Sequence, residues 1–339
     1  MLDKNTFDVL KFYKKDVGST QRTIASELGL SLGTVNKIVQ MCRENQWVDE
    51  NGITAMGMEK LAPYKVENAI IMAAGMSSRF APLSYEKPKG LLKIKGEILI
   101  ERQIKQLQEA GINDITVVIG YMKETFFYLE DKYGVKLVIN EDYYRYNNTS
   151  TLIRVLNKLG NTYICSSDNY FTQNVFEEYV YQAFYSAVYT KERTNEYCIK
   201  YDNSGKITKV TIGGDGNDWY MLGHVYFSKK FSEKFISILK NEYDTVPAVK
   251  EQLWENLYMA HIKELDLYIK KYDDSVIKEF DSLDELRAFD EHYINNTNSA
   301  ILKNICTAGC SPLGNPAPAK VFSIQFQQLG QAHLQQYLL

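Results

Sequence analysis

Residues 69–90 read AIIMAAGMSSRFAPLSYEKPKG, in which an apolar run is followed by small residues and then by two separated cations. The apolar run predicts a fully buried strand of a parallel sheet. The small residues let backbone N–H groups approach phosphate oxygens. Arg79 and Lys89 add cations that can stabilise a transferring phosphoryl group, and we expect both to be catalytic. The residues expected to contact the nucleotide are Ala73, Ala74, Gly75, Met76, Ser77 and Ser78.

The loop differs from two common nucleotide-binding motifs. Ser77 stands at the second glycine position of G-x-G-x-x-G, so the loop is not a dinucleotide fingerprint. No Gly-Lys-Ser/Thr ends it, which excludes a Walker loop. The plainer alternative is a strand-to-helix turn with two solvated cations. The residues whose combined spacing argues against that alternative are Gly75, Arg79, Pro82, Pro88 and Lys89.

Strands and helices alternate on the C-terminal side of the loop. The predicted strands are 115–119, 136–139 and 163–165, and the predicted helices are 98–110, 124–133 and 150–159. This alternation predicts an α/β fold with a doubly wound, mostly parallel, Rossmann-like sheet. Residues 183–227 are rich in strand-forming residues and contain Gly-Gly and Asn-Ser-Gly turns, which predicts an antiparallel extension of the sheet.

The first 62 residues predict a small separate domain. Its predicted helices are 5–15, 20–28 and 32–44, followed by a hairpin that turns at 50–52. Helix, tight turn, helix and hairpin is the layout of a winged helix-turn-helix, and TIASELGLSLGTVNKIV resembles that family. The third helix could contact DNA bases, but residues 1–62 hold eight basic and eight acidic residues. Because phosphate neutralisation dominates DNA affinity, DNA binding and a docking or dimerisation role both stay open.

Composition excludes several classes of protein. A chain of 339 residues with 45% hydrophobic and 24% charged residues has the composition of a globular protein of about two domains. Its net charge of −3 argues against a nucleic-acid binder along the whole chain. We expect no membrane insertion, since no apolar stretch approaches the roughly 18 residues of a spanning helix. Five scattered cysteines indicate reduced thiols and a cytoplasmic protein, and the 25 tyrosines need a separate explanation.

A family resemblance rests on the loop and on stretches beyond it. AAG-x-x-S-R-F-x-P followed by K-P-K resembles the signature of nucleotidyltransferases, and residues 68–288 are similar to bacterial CTP:phosphocholine cytidylyltransferases. The supporting stretches are GINDITVVIGYMKETFFYLEDKYGVKLVIN, YNN, SSDN, TNEY and IKELDLYIKKYDDSVIKEFDSLDEL. Three positions depart from the pattern. Ser77 stands where many relatives have Gly, Tyr197 where Trp is expected, and Ile98 where sugar-nucleotide relatives have Pro.

The resemblance and the composition together divide the chain into four segments. Residues 1–62 are the winged helix-turn-helix and 63–67 a linker. Residues 68–290 are the nucleotidyltransferase domain. Residues 291–339 are expected to be a non-native tail or the stub of a truncated further domain, because their later part is rich in Pro and Gln and poor in charge.

The resemblance implies a magnesium-dependent reaction. Asp168 and Asp281 each follow a predicted strand, and in the family such acids hold Mg²⁺ between the phosphates. Taken alone, either residue could instead cap a helix or stabilise a turn. The implied reaction transfers a cytidylyl group from CTP to phosphocholine, giving CDP-choline and pyrophosphate. By the same resemblance, Asn147 and Asn148 lie near the base or ribose.

The acceptor could be recognised by aromatic rings and carboxylates. A quaternary ammonium group has no hydrogen-bond donors and is bound through cation–π attraction. The candidates for the phosphocholine pocket are Glu196, Tyr197, Asp218, Trp219, Tyr220, Trp254, Glu255 and Tyr258. Ordinary strand and helix packing is the alternative for each ring. Two other functions stay open: a sugar-1-phosphate nucleotidyltransferase, and a transcriptional regulator that senses a nucleotide or phosphocholine. A homodimer is also left open.

Overall fold

The N-terminal module is a winged helix-turn-helix. The structure is a computed structural model that describes residues 1–16, 18–280, 282–295 and 299–301. The elements of the module are α1 (Lys4–Lys15), α2 (Gln21–Leu28), α3 (Leu32–Glu44), β1 (Val48–Asp49), β2 (Gly52–Ile53) and α4 (Ala55–Leu61). Thr20 and Ser31 cap α2 and α3, because their hydroxyl oxygens accept backbone N–H groups of the first turn. Gly29 ends α2 at a φ of 64°. The fold predicted for this module is confirmed.

The larger domain is built on one mixed sheet and, over the described residues, also contains separate two-stranded sheets. Its strands are β3 (Asn68–Ala73), β4 (Lys93–Ile94), β5 (Glu97–Ile98), β6 (Ile115–Ile119), β7 (Lys136–Ile139), β8 (Thr162–Ser166), β9 (Asn169–Phe171), β10 (Phe184–Thr190), β11 (Thr194–Tyr201), β12 (Ile207–Gly214), β13 (Asp218–Phe227), β14 (Tyr268–Tyr272) and β15 (Ile277–Glu279). Its helices are α5 (Leu99–Glu109), α6 (Tyr128–Tyr133), α7 (Thr149–Ile153), α8 (Lys229–Glu242), α9 (Pro247–Glu251), α10 (Trp254–Ala260), α11 (Leu283–Phe289) and α12 (His292–Asn295).

The order of the strands confirms the predicted topology. The main path runs β12-β11-β13-β8-β3-β6-β7, with β10 and β14 joined to it through β13. Strands β8, β3, β6 and β7 are parallel, and β13 is antiparallel to β8. One helix is shorter than predicted. Helix α7 ends at Ile153 instead of 159, because Val155 leaves the helical region with φ −125° and ψ 20°.

Separate cores cover the two faces of the sheet. One includes Ile71, Val117 and Tyr163 and packs under α5. The other includes Val225 and Trp254 and packs under α8 and α10. Because side chains alternate along a strand, neighbouring residues of β13 belong to different cores.

Helix α1 docks the module onto the larger domain. Lys11 pairs with Glu177, and Lys14 Nζ lies 2.6 Å from Glu178 Oε2. The ring of Tyr64 stacks on that of Tyr181 with centroids 5.6 Å apart. Burial opposes ionisation of Glu177, but the ammonium groups of Lys270 and Lys11 outweigh it and lower the pKa of this carboxyl to about 2. The docking leaves one face of α3 exposed, carrying Ser31, Gly33, Asn36, Lys37 and Gln40.

Over the described residues, no helix has the length and apolar content needed to cross a membrane. Of the predicted tail at 291–339, the description covers only 291–295 and 299–301, so the rest of that prediction lies outside the described residues.

Candidate active site

A cleft of about 520 Å³ lies where β3, β7 and β8 end. Open α/β sheets bind ligands in such crevices, beyond the carboxyl ends of their strands. The predicted residues that line the cleft are Ala73, Ala74, Gly75, Met76, Ser77, Ser78, Lys89, Asn147, Asn148 and Asp168. The fold therefore gathers residues from four separate chain segments around one volume.

The loop after β3 presents its backbone to this cleft. Among the described residues, the N–H groups of Gly75, Met76 and Ser77 donate no hydrogen bond. No atom lies within 4 Å of the position that a Cβ on Gly75 would take. Ser77 has a φ of 49°, a left-handed conformation that glycine adopts more readily than serine. That conformation would be less strained with glycine at this position. The loop offers open amides to an anion.

Lys89 and Asp168 form an ion pair at the base of the cleft. Lys89 Nζ lies 2.8 Å from Asp168 Oδ2, and Lys89 is buried. The other carboxylate oxygen, Asp168 Oδ1, is also buried and has no hydrogen-bond partner within the described chain. A Cβ on Gly90 would come within 2.9 Å of Ser167 Cβ, so only glycine lets the two segments approach this closely. One carboxylate oxygen is thus held by an ammonium group, while the other stays available for a ligand.

Asn147 and Asn148 hold the opposite wall of the cleft in place. The Asn147 backbone N–H donates to Lys250 O at 3.0 Å. Asn148 Oδ1 accepts the backbone N–H of Trp254 at 2.8 Å, and Asn148 Nδ2 donates to Glu255 Oε2 at 3.4 Å. Both ends of the Asn148 amide therefore bond to protein, which orients this side chain at the cleft surface.

Two predicted residues stand apart from this group. Arg79 lies in a short 3₁₀ turn (Ser78–Phe80), is exposed and is not among the residues that line the cleft. Asp281, the second predicted metal ligand, lies outside the described residues. Within the described ranges, no cluster of three or more His, Cys, Asp or Glu side chains could hold a metal ion.

Comparisons with known proteins identify the family. Residues 69–204 match the MobA-like NTP transferase domain, and residues 2–49 match the winged helix-turn-helix DNA-binding family. Choline-phosphate cytidylyltransferase of Streptococcus pneumoniae is 35% identical over 223 residues, which are 66% of this chain and 96% of that enzyme. The chain belongs to the cytidylyltransferase family.

Two further matches agree with this assignment. 2-Aminoethylphosphonate cytidylyltransferase of Lancefieldella rimae is 38% identical over 233 residues, 67% of this chain and 93% of that enzyme. The solved structure of CTP:phosphocholine cytidylyltransferase from Streptococcus pneumoniae has a TM-score of 0.63 and 36% identity, covering 66% of this chain and 97% of that one. The family and the enzyme class predicted from the sequence are confirmed.

In this cytidylyltransferase, the eight residues predicted for the acceptor do not form one pocket. Trp254 and Tyr258 are each 0% exposed in the core under α8 and α10, which corrects their prediction as headgroup contacts. Trp219 and Tyr220 are neighbours on β13 and point to opposite faces. Trp219 already lies 5.1 Å from the ammonium group of Lys271. Asp218 likewise faces a lysine, with its Oδ1 2.6 Å from Lys200 Nζ, and both Asp218 and Trp219 stay predictions for the acceptor.

Four other members of the predicted set lie near one another in pairs, Glu255 with Tyr197 and Glu196 with Tyr220. Glu255 is buried, and its Oε1 accepts the hydroxyl of Tyr185 at 2.9 Å. Burial raises the pKa of Glu255, and this side chain forms no ion pair with any described residue. Tyr197 is half-buried beside it. Burial of Tyr220, with the charges of Glu196 and others nearby, raises the pKa of that tyrosine to about 12.

Sequence reasoning missed two residues that shape the site. Glu279 lies opposite Asn169 in the pairing of β15 with β9, and its charge acts on both Tyr185 and Tyr220. Gln103 lies on the buried face of α5. A glutamine on a buried helix face is itself a signal, because buried amides require partners.

Proposed function

We propose that the protein catalyses magnesium-dependent transfer of a cytidylyl group from CTP to phosphocholine. The observation that carries this proposal is the Lys89–Asp168 pair, which lines the cleft together with the loop and leaves one buried carboxylate oxygen without a partner in the described chain. The family supplies the nucleotide and the class of acceptor. We propose a cytoplasmic location for the reaction, which the free, buried thiols of Cys42, Cys165 and Cys198 support.

The reaction needs no general base. The acceptor phosphate already carries about −1.5 to −2 charge at pH 7, so its oxygen can attack the α-phosphorus of CTP directly. A new bond forms between that oxygen and the α-phosphorus, and the bond from the α-phosphorus to the bridging oxygen breaks. Pyrophosphate leaves with the electron pair. The loop amides and Lys89 hold the phosphates in position, with Arg79 proposed to approach from the adjacent turn.

Asp168 has the chemistry of a magnesium ligand. Its Oδ1 is a hard oxygen with no partner in the described chain, which fits an ion that binds one or two carboxylates together with phosphate oxygens. Asp281 is proposed as the second carboxylate. When bound, Mg²⁺ neutralises charge on the phosphates. Lys89 fixes the orientation of the Asp168 carboxylate from the opposite side.

For the acceptor headgroup, we propose Tyr197 as the ring contact, with Glu255 as the nearby charge, because Tyr220 and the neighbouring Glu196 belong to the other face of the sheet. A half-buried ring can attract a cation through its face, and a carboxylate adds to that attraction. Tyr197 donates to Asn256 Oδ1 at 3.4 Å, next in the chain to Glu255. This proposed role accounts for only a small part of the 25 tyrosines in the chain.

A second acceptor, 2-aminoethylphosphonate, is favoured by one observation. Burial of Trp254 and Tyr258 leaves fewer rings for a quaternary ammonium group than the sequence predicts, while Glu255 has no cation partner among the described residues. A primary ammonium group donates hydrogen bonds to carboxylates and depends less on rings.

Pyrophosphate release tests the proposal. CTP should be paired in turn with phosphocholine, 2-aminoethylphosphonate and a sugar 1-phosphate, each with and without Mg²⁺. Turnover with phosphocholine that requires Mg²⁺ supports the first proposal, and a higher kcat/KM with the phosphonate supports the second. Turnover only with the sugar phosphate overturns both. Ligand binding without turnover for any pair would favour a sensor over an enzyme.

We also propose that the module at 1–62 binds DNA through α3. The exposed face of α3 supports this, while Lys11 and Lys14 on α1 are engaged by Glu177 and Glu178. Weak binding with a shallow salt dependence is expected, because few cations remain to neutralise phosphates. Binding of duplex DNA should be titrated with salt for wild type, Lys37→Glu on α3, and Lys209→Glu on β12 as the control. Absence of binding at low salt in the wild type would leave docking as the role of the module.

A further inference from the structure

One side chain from α5 spans the turn that carries Asp168. Gln103 is 1% exposed, and its Nε2 donates to Ser166 O at 2.8 Å and to Asn169 O at 2.9 Å. These two carbonyls lie on either side of Ser167 and Asp168. A glutamine amide nitrogen has two hydrogens, and both are used here. The two bonds tie the ends of the turn to a rigid helix.

Few other bonds hold this turn in the described structure. The Ser167 N–H donates to Met72 O at 3.2 Å, and Lys89 holds the Asp168 side chain. The side-chain amide of Asn169 is buried without a hydrogen-bond partner in the described chain. On the far side of Asp168, the backbone is held by the pairing of Asn169 with Glu279 of β15 and, from α5, by Gln103, which is the residue that bonds to both ends of the turn.

The orientation of the Gln103 amide points to a role beyond packing. Its Oε1 is buried and has no partner among the described residues, so the amide keeps an unsatisfied acceptor while making the two bonds to the turn. An unsatisfied buried acceptor destabilises a protein. An apolar side chain of similar length would avoid that penalty but could not bond to the turn.

We propose that Gln103 is a positioning residue that sets the geometry of Asp168 for metal binding. This inference rests on the proposed function, in which Asp168 Oδ1 is a metal ligand. A shift of the turn by a fraction of an ångström would move that oxygen relative to the phosphates, and misplacement on this scale lowers the rate of transfer strongly. Gln103 itself lies behind the strand end and contacts the backbone of the turn.

Helix α5 provides a matched control one turn away. Gln106 is also buried, its Oε1 also lacks a partner within the described chain, and its Nε2 donates to Phe171 O at 3.3 Å. That carbonyl lies at the end of β9, beyond the turn with Asp168. Gln103→Met and Gln106→Met remove the same chemical group from the same helix, and only the first unties the turn.

The test measures metal binding directly. Mn²⁺ is titrated into the CTP complex without acceptor and followed by electron paramagnetic resonance, and the Mg²⁺ dependence of turnover is measured separately. We expect Gln103→Met to raise the Kd for Mn²⁺ and the half-saturating Mg²⁺ concentration by about tenfold, the size typical for loss of an outer-shell partner. The KM for the acceptor should change little. Gln106→Met should keep wild-type metal binding.

Each outcome separates this inference from the proposed function. Equal metal binding by Gln103→Met and Gln106→Met would overturn the positioning role while leaving the reaction intact. Absence of metal binding by the wild-type CTP complex would overturn the proposed function instead. If Gln103→Met does not fold, Gln103→Glu keeps the shape of the side chain but faces the two carbonyls with a carboxylate, and the same metal defect is expected.

Discussion

The nucleotide end of the cleft is built from one continuous stretch, residues 73–90, together with Asp168 from the neighbouring strand end. The proposed acceptor end is assembled from several elements, β10, β11, β13 and α10, within residues 184–260. At the first end, the predicted loop, Lys89 and Asp168 meet in one cleft. At the second, Trp254 is buried in the core, and Trp219 lies against Lys271 instead.

The difference between the two ends shows which kind of site can be predicted from sequence. Residues 73–78 follow a buried strand directly, so the end of the strand determines where the loop lies. The acceptor residues sit within strands and a helix, where the pleat of the sheet and the rotation of the helix decide which side chains face a ligand. Substitutions at the two ends should therefore differ in the size and the kind of their effects.

The largest effect is expected at the nucleotide end, from Lys89→Met. Loss of the ammonium group removes the partner of Asp168 and a charge next to the transferring phosphate, so kcat should fall by about 10²–10⁴-fold. Pyrophosphate release measures this. The control is Lys87→Met, an exposed lysine two positions away, which should keep normal activity. Activity above a tenth of wild type, with an unchanged melting temperature, would remove Lys89 from the catalytic residues.

Gly75→Ala should separate binding from stability at the same end. Nothing lies within 4 Å of the added Cβ, so the melting temperature should not change, while the KM for CTP should rise by about tenfold because the methyl group occupies space beside the loop amides. Gly120→Ala is the contrasting variant, since its Cβ would lie 2.9 Å from Ala74 O and should destabilise the fold. An unchanged KM in the first variant would show that phosphates do not approach this amide.

At the acceptor end, Tyr197→Leu is compared with Trp219→Leu. Tyr197 is close to Glu255, whereas Trp219 contacts Tyr189 and Lys271. The KM for the acceptor should rise about fivefold in the first variant, the loss expected for one cation–π contact, and should stay unchanged in the second. The KM for CTP serves as the internal reference. The opposite ranking of the two variants would place the headgroup at Trp219, further along the same face of the sheet.

The smallest expected effect is a pH-dependent change in stability in Glu255→Gln. Burial raises the folded-state pKa of the Glu255 carboxyl. The protonated carboxyl therefore stabilises the folded state at pH values below the unfolded-state pKa of about 4.3, and this stabilisation is lost as the pH rises through the folded-state pKa. The free energy of unfolding of Glu255→Gln should match that of wild type near pH 4 and exceed it by about 1 kcal/mol at pH 8. Urea unfolding at several pH values measures the difference. Weaker acceptor binding in the same variant would indicate that the Glu255 carboxylate contacts the headgroup. A stability difference that does not vary with pH would contradict the raised pKa of Glu255.

Much of the fold could be predicted from local pattern. The apolar runs predicted β3, β6, β7 and β8, and the helical spacing of the module predicted α1, α2 and α3. Helix α7 was predicted too long, because its polar and apolar spacing continues past the point where Val155 leaves the helical conformation. Trp254 and Tyr258 were predicted as headgroup contacts but lie in the core, because the sequence does not show which side chains the helices bury against each face of the sheet.

The sequence by itself determined the family, the order of the elements and the chemistry of the loop, since these depend on residues adjacent in the chain. Only the tertiary structure decided which oxygen of Asp168 is held by Lys89, that Gln103 ties the turn behind it, and that Trp254 belongs to the core. The physical reason is that burial and hydrogen-bond partners come from segments distant in sequence, and no local pattern specifies them.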